Sequence, residues 1–399
     1  MNFQLEYGTL SNPRESQRLG DILCQCFNES VSDWQFYLNS LGQENFRVIR
    51  RAGDVAGGLA ILQMNQWFGS EPIPMAGIAS VGVPPEHRGM GVAVDLLSHT
   101  LRELYAKGVP LSTLYAATQR PYRKVGYEQA GTCCRFELPI ESIRVDVSQT
   151  LGKEIRSIPM QPVSPNPERF QNLYRQWAIK NNGNLDRNQV MWQLLVQPQG
   201  EEVVYAYLIG SEAQPEGYVI FSQKRTVVDY DLWIRDWVAL TPIAARRLWL
   251  FIADHRSQAQ KVLWRGSVID PLLLLLSEQS QQVRHLERWL LRVVDVSKAL
   301  EKRGYPVEVE TQLHLEVWDD LLPENKGRFI LRVSEGRGEV TRGGRGELQL
   351  DVRGLAPLFT GLLTPYQLQL TGQIKASDSA VAVATQLFSG SEPWMPDKF

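Results

Sequence analysis

Cysteine is scarce in this 399-residue sequence, and the little present has the wrong spacing for a metal or redox centre. Cys24 and Cys26 form a C-x-C pair and Cys133 and Cys134 a C-C pair, neither of them the C-x-x-C of a zinc or disulfide-exchange site. The expectation is buried, inert thiols in a reducing, cytoplasmic setting. Histidine is equally thin. His87, His99, His255, His285 and His314 are scattered, so no metal site is expected. A formal net charge of −2 leaves no global basic field, so neither nucleic acid nor an anionic membrane is an expected partner. The longest apolar run, Pro271 to Leu276, falls far short of the roughly 20 residues that span a bilayer. The opening stretch MNFQLEYGTLSNPRESQRL lacks the charged-then-apolar pattern of a secretory leader.

What is present is a globular composition long enough for two or three domains at about 100–200 residues each. Ser16 to Phe27 places Leu19, Ile22, Leu23, Cys26 and Phe27 on one helical face. Phe46 to Arg51 and Val55 to Met64 predict two strands around a turn at Gly53-Asp54. Ile78 to Val83 predicts a buried strand, Val92 to Lys107 a helix with Val94, Leu97, Leu101 and Leu104 on one face, and Ser112 to Thr118 a further strand. This interleaving predicts an α/β fold with mixed sheets. After a proline-rich connection at Pro159 to Pro167 the pattern repeats loosely, with strands at Glu202 to Ile209, Gly217 to Ser222 and Trp233 to Leu240 and a helix from Ala244 to His255. From about Arg292 short strands and glycine-rich turns predict a third, α+β region.

The sharpest local signal is the turn Arg88-Gly89-Met90-Gly91-Val92-Ala93, where an apolar strand runs into a long helix. The start of a helix offers unpaired N–H groups and the positive end of its dipole. Glycines let main chain approach a bulky anion without a Cβ clash, so a pyrophosphate can sit there. A dinucleotide site is disfavoured because G-x-G-x-x-G is absent.

Arg88-x-x-Gly91-x-Ala93 resembles the pyrophosphate motif of the GNAT acetyltransferases, and Tyr122-Arg-Lys-Val-Gly126-Tyr127 resembles their Y-x-x-x-G-F/Y motif. Strand, turn, helix, strand and tyrosine follow in family order. The whole layout is similar to the Eis family. That resemblance implies a catalytic GNAT domain (1–150), a degenerate GNAT-like domain (151–290) and a sterol-carrier-protein-like domain (291–399). It implies acetyl-CoA as co-substrate, with the main chain of Val81 and Val83 on the pantetheine and Arg88, Gly89, Met90, Gly91, Val92 and Ala93 around the pyrophosphate. It also implies a homo-oligomer, up to a hexamer.

Acetyl transfer to an amine moves two protons, one off the ammonium and one onto the departing thiolate. With a reference pKa of about 10, Tyr122 holds its proton at neutral pH and is the expected acid; Tyr127 is expected to pack. The Eis resemblance assigns the base to the carboxylate of a terminal Phe, here Phe399, whose basicity burial would raise. Asp33, Trp34 and Phe36, expected in a loop, are candidates for holding a cationic acceptor, with a helix cap and core packing as the equal alternative. Asp397 is a further acceptor candidate. The turn Thr241-Pro242-Ile243-Ala244 of the repeat has no glycine, so the second domain is expected to bind no CoA. The expected acceptor is a primary amine: an aminoglycoside, a polyamine or a lysine-type molecule. Two other functions stay open, a lipid carrier that senses acetyl-CoA and a protein lysine acetyltransferase.

Overall fold

The computed structural model describes residues 5–399 apart from 29, 146–147, 199 and 228. The chain forms two compact units: residues 1–131, 288–391 and 398–399 in the first, 132–287 and 392–397 in the second.

The first unit opens with β1 (Leu5–Thr9), α1 (Pro13–Phe27), α2 (Val31–Leu41), β2 (Phe46–Arg51), β3 (Asp54–Phe68) and β4 (Glu71–Gly82). β1 to β4 pair antiparallel in sequence order. A crossover through α3 (Val92–Ala106) brings β5 (Leu111–Tyr115) parallel to β4, and α4 (Arg120–Lys124) follows. α3 packs through Leu96, Leu97, Leu101 and Leu104, all buried. That stripe has the i, i+4 spacing of an amphipathic helix, and each buried leucine contributes roughly 1.5–3 kcal/mol. The free edge of β5 is filled by Trp289–Val293, running antiparallel.

The same unit carries a five-stranded sheet ordered Arg337–Arg342, Gly327–Ser334, Thr311–Trp318, Leu348–Asp351, Ile374–Ala376. Helices Val352–Thr360 and Asp378–Leu387 accompany it. This is the α+β region expected from the glycine-rich turns.

In the second unit the strand Gln214–Arg225 pairs antiparallel with Val204–Ser211 and Tyr230–Ala239. Ala259–Gly266 lies parallel to Tyr230–Ala239 and antiparallel to residues 134–139. Its core centres on Trp237, Trp249 and Trp264, whose rings lie 5.4–5.8 Å apart. Both units are mixed α/β, as the strand–helix pattern requires. Among the described residues no helix is long and apolar enough to cross a membrane.

Candidate active site

β4 and β5 pair over only three residues, Met75–Gly77 with Leu111–Thr113, and then separate. Just beyond, β4 bulges. Gly58 faces Gly82 and Ala60 faces Ala79, so Ser80 and Val81 together oppose Leu59. Ser80 is forced to φ +50°. Such a bulge takes main-chain groups out of the ladder, and Val81 turns to the opening.

The chain then enters α3 through Gly89 (φ +75°) and Gly91 (φ +86°), both in the left-handed region open to glycine. Gly91 is the N-cap and supplies no side-chain hydrogen bond to the first amides of α3. A Cβ on Gly89 would meet nothing within 4 Å. The amides therefore face a groove of about 700 Å³, lined by Val81, Val83, Arg88, Gly91, Ala93 and Tyr122 among others. A helix start without a cap of its own, approached by two glycines and opening on such a groove, fits a diphosphate.

Two details correct the sequence reading here, and another bears on Val83. The Val83 carbonyl is already engaged, accepting from Arg88 Nε at 3.0 Å and Cys26 Sγ at 3.5 Å. Met90 does not line the groove; its sulfur accepts from Arg51 at 2.8 Å. Cys24 and Cys26 are half-buried rather than in the core, Cys26 in the groove wall, whereas Cys133 and Cys134 are buried, with burial pushing the Cys134 thiol up to about 11. Arg120 and Lys124 also line the groove and were not singled out from sequence; the signal was their basic charge on either side of Tyr122.

Tyr122 sits on α4, whose first turn carries Pro121 at a position that needs no N–H. It is 8% exposed and lines the groove, and burial pushes its phenol up to about 12. Tyr127 packs edge-on against it at 6.0 Å. The Tyr127 hydroxyl is 2.7 Å from Ser112 Oγ, which donates to the Ala76 carbonyl. The two tyrosines thus differ: one faces the groove, the other is tied into the sheet. The turn after α4 is fixed from a distance, because Arg292 Nε donates to the Val125 carbonyl at 3.0 Å and Arg292 is bonded to Asp319.

The last two residues lie at the fork between β4 and β5. A Cβ on Gly77, the final β4 residue paired with β5, would fall 2.7 Å from the Phe399 ring. Lys398 Nζ lies 5.5 Å from the centroid of Tyr115, at the end of β5.

Residues 10–130 match the family described as acetyltransferase (GNAT) domain, residues 183–293 match a second family of that description, and residues 296–396 match the sterol carrier protein domain. The chain is 52% identical to the crystal structure of a GCN5-related N-acetyltransferase from Anabaena variabilis, covering 99% of this chain and 100% of that one at a TM-score of 0.94. The chain belongs to the GCN5-related N-acetyltransferases. It is similar over its whole length to a GCN5-related N-acetyltransferase from Kribbella flavida, at 27% identity, 100% and 99% coverage and a TM-score of 0.86. It is 28% identical to the N-acetyltransferase Eis of Mycobacterium tuberculosis over 93% of this chain and 94% of that protein.

In this acetyltransferase the expected acceptor loop is a helix. Ser30 and Asp33 form a reciprocal cap at the start of α2, with Asp33 Oδ2 accepting from Ser30 N at 3.0 Å and Oγ at 2.6 Å. These bonds hold the exposed Asp33 carboxyl below its ordinary range. Trp34 is 2% exposed, stacked edge-on to Phe46 at 5.2 Å and pressed onto Gly20, so it belongs to the core and not to a cleft. Phe36 remains 46% exposed. Asp397 is buried in the second unit, where its Oδ1 accepts from Arg187 Nε at 2.9 Å. Burial raises its carboxyl above the ordinary range despite Arg187. It anchors the tail and does not present a charge to a ligand.

The second GNAT domain closes the corner that the first leaves open. Its helix Pro242–Ala253 is capped by Thr241 Oγ1, which accepts from Ala244 N at 3.1 Å, and Pro242 has no N–H to offer. Thr241 in turn donates to the Glu216 carboxylate. A hydroxyl and an acid of the protein itself stand where the first domain keeps free amides.

Proposed function

We propose that this acetyltransferase moves the acetyl group of acetyl-CoA to the primary amine of an aminoglycoside, polyamine or lysine-type acceptor. The observation that carries this reading is the uncapped Gly91 helix start, opening on a groove that reaches Tyr122. The amine nitrogen forms a bond to the acetyl carbon as the carbon–sulfur bond breaks. The ammonium proton goes to the Phe399 carboxylate, the departing sulfur takes a proton from Tyr122, and the second proton shed by nitrogen as the amide forms restores the Tyr122 phenol. A phenol at about 12 is a weaker acid than a solvated thiol at about 8.5, so complete transfer to a solvated thiolate is uphill. Burial destabilises a thiolate as well. Tyr122 therefore acts first as a hydrogen-bond donor to charge developing on sulfur.

The position of the Phe399 ring against Gly77, at the β4–β5 fork, supports its carboxylate as the base. Thr241 and Glu216 support a second domain that binds no CoA. Of the acceptor candidates, Phe36 keeps an exposed face to offer. We read the chain as domains 1–150, 151–290 and 291–399, as the family matches suggest, assembled in a homo-oligomer up to a hexamer; the thiols of Cys26 and Cys134, held in no disulfide, support a cytoplasmic setting. A thiol-release assay with acetyl-CoA and a panel of aminoglycosides, polyamines and lysine peptides tests the reading. Amine-dependent release is expected, and no release with any amine of the panel overturns it.

A further inference from the structure

The sheet of the second unit buries one face on its tryptophan core, and alternate residues of each strand face the other side. On that other side four residues converge. Arg135 lies between the core residues Cys134 and Phe136, Arg265 follows Trp264, and Trp233 lies between Leu232 and Ile234. The Trp233 ring is the common centre: Arg135 Cζ is 5.6 Å from its centroid, Arg265 Cζ 5.8 Å and Lys224 Nζ 4.4 Å.

Arg135 and Arg265 are direct cross-strand partners. Like charges in that register oppose pairing. Among the described residues neither has an ion-pair partner. Glu137, on the same side, is bonded to Arg284 and Lys261, and Glu202 to Arg235 and Ser222. Asp231 faces Lys224 in register, yet its ion pair is with Lys261 at 3.9 Å. Asp397, the other carboxylate that feels Arg265, is bonded to Arg187. Among the described residues no carboxylate lies within ion-pair distance of Arg135, Arg265 or Lys224. The Nε–H of the half-buried Arg135 has no hydrogen-bond partner.

We propose that this face is a binding site for a small anionic molecule, one whose carboxylate or phosphate takes the Arg135–Arg265 pair and whose apolar body lies against Trp233. Two guanidinium groups on directly paired residues suit the forked geometry of either oxyanion. The indole supplies the surface that distinguishes a ligand with a carbon skeleton from a bare ion. The site belongs to the second domain, so it gives that domain a role of its own while its helix corner is closed by Thr241.

The test is calorimetric titration of inorganic phosphate, and separately of succinate, into the full-length protein already saturated with coenzyme A, at constant ionic strength set with chloride. Saturable binding of one equivalent of at least one anion is expected. It should weaken at least tenfold in Arg135→Gln and in Arg265→Gln, with coenzyme A affinity unchanged as the sign of an intact fold. Trp233→Leu should weaken succinate more than phosphate if the natural ligand is a carboxylate with a carbon body, and both alike if it is a phosphate. Absence of saturable heat in the unaltered protein, or equal binding by the arginine variants, overturns the proposal.

Discussion

Arg292 approaches Gly126 so closely that a methyl group on that glycine would fall 2.7 Å from the guanidinium Nε. The glycine of the tyrosine motif thus has two physical reasons. Its φ of +90° is left-handed, and its missing side chain leaves room for a buried cation. That cation donates to the Val125 carbonyl, one residue before Gly126, and to both oxygens of Asp319, which also accepts from Leu321 N, Leu322 N and Asn325. A second tie runs through Glu128, which accepts from Arg123 on α4 and from Arg353 at the start of helix Val352–Thr360. Asp319 and Arg353, both among the residues that match the sterol carrier protein domain, therefore brace the helix that carries Tyr122, the first through Arg292 and the second through Glu128.

Gly126→Ala should cost about 3 kcal/mol of stability, from the left-handed backbone and from crowding of Arg292. Urea unfolding reads the loss. Displacement of α4 should lower kcat, and a variant as stable as the parent would refute the account of Gly126.

Gly91→Asp places a carboxylate at the start of α3, able to cap the amides and to repel phosphate. The KM for acetyl-CoA should rise at least tenfold while kcat at saturation changes little. Steady-state kinetics across acetyl-CoA concentration check this; an unchanged KM would remove the helix start from cofactor binding.

Tyr122→Phe should lower kcat by about 10²–10⁴ with the KM for acetyl-CoA unchanged. The same residue makes a pH prediction. Its folded pKa, about 12, lies above the ordinary 10, so the contribution is complete below pH 10 and is lost as pH rises through 12. Two pKa units correspond to about 2–3 kcal/mol. Unfolding curves between pH 9 and 12 should therefore fall more steeply for the parent than for Tyr122→Phe.

Deleting Phe399, or adding residues after it, should abolish most turnover while calorimetric binding of coenzyme A persists. Full activity in an extended protein would exclude the terminal carboxylate as base.

Sequence legibility followed distance along the chain. The Arg88 to Ala93 turn, the α3 stripe of Leu97, Leu101 and Leu104, and Tyr122 are local patterns, and local patterns announce themselves. The α2 helix was legible too, in the spacing of Ser30 and Asp33, but the aromatic run after it suggested a binding loop. Trp34 could be placed only once Gly20 and Phe46 were known to meet it. Arg292 acts on a carbonyl 167 residues away, and Asp397 meets an arginine 210 residues away. No periodicity marks such partners. The exchange of strands is hidden for the same reason: residues 134–139 pair within the second unit, and 289–293 return to pair with β5.

The start of α3 has a consequence for the life of the protein in a cell. With Gly91 offering no hydroxyl or carboxylate of its own, the first turn of that helix would, on the proposed function, take its closing partner from a diffusing molecule. Bound coenzyme then acts as a folding ligand, adding stability in proportion to the logarithm of its free concentration. Stability should therefore fall when free coenzyme is scarce, and the abundance of the enzyme should track the size of the coenzyme pool.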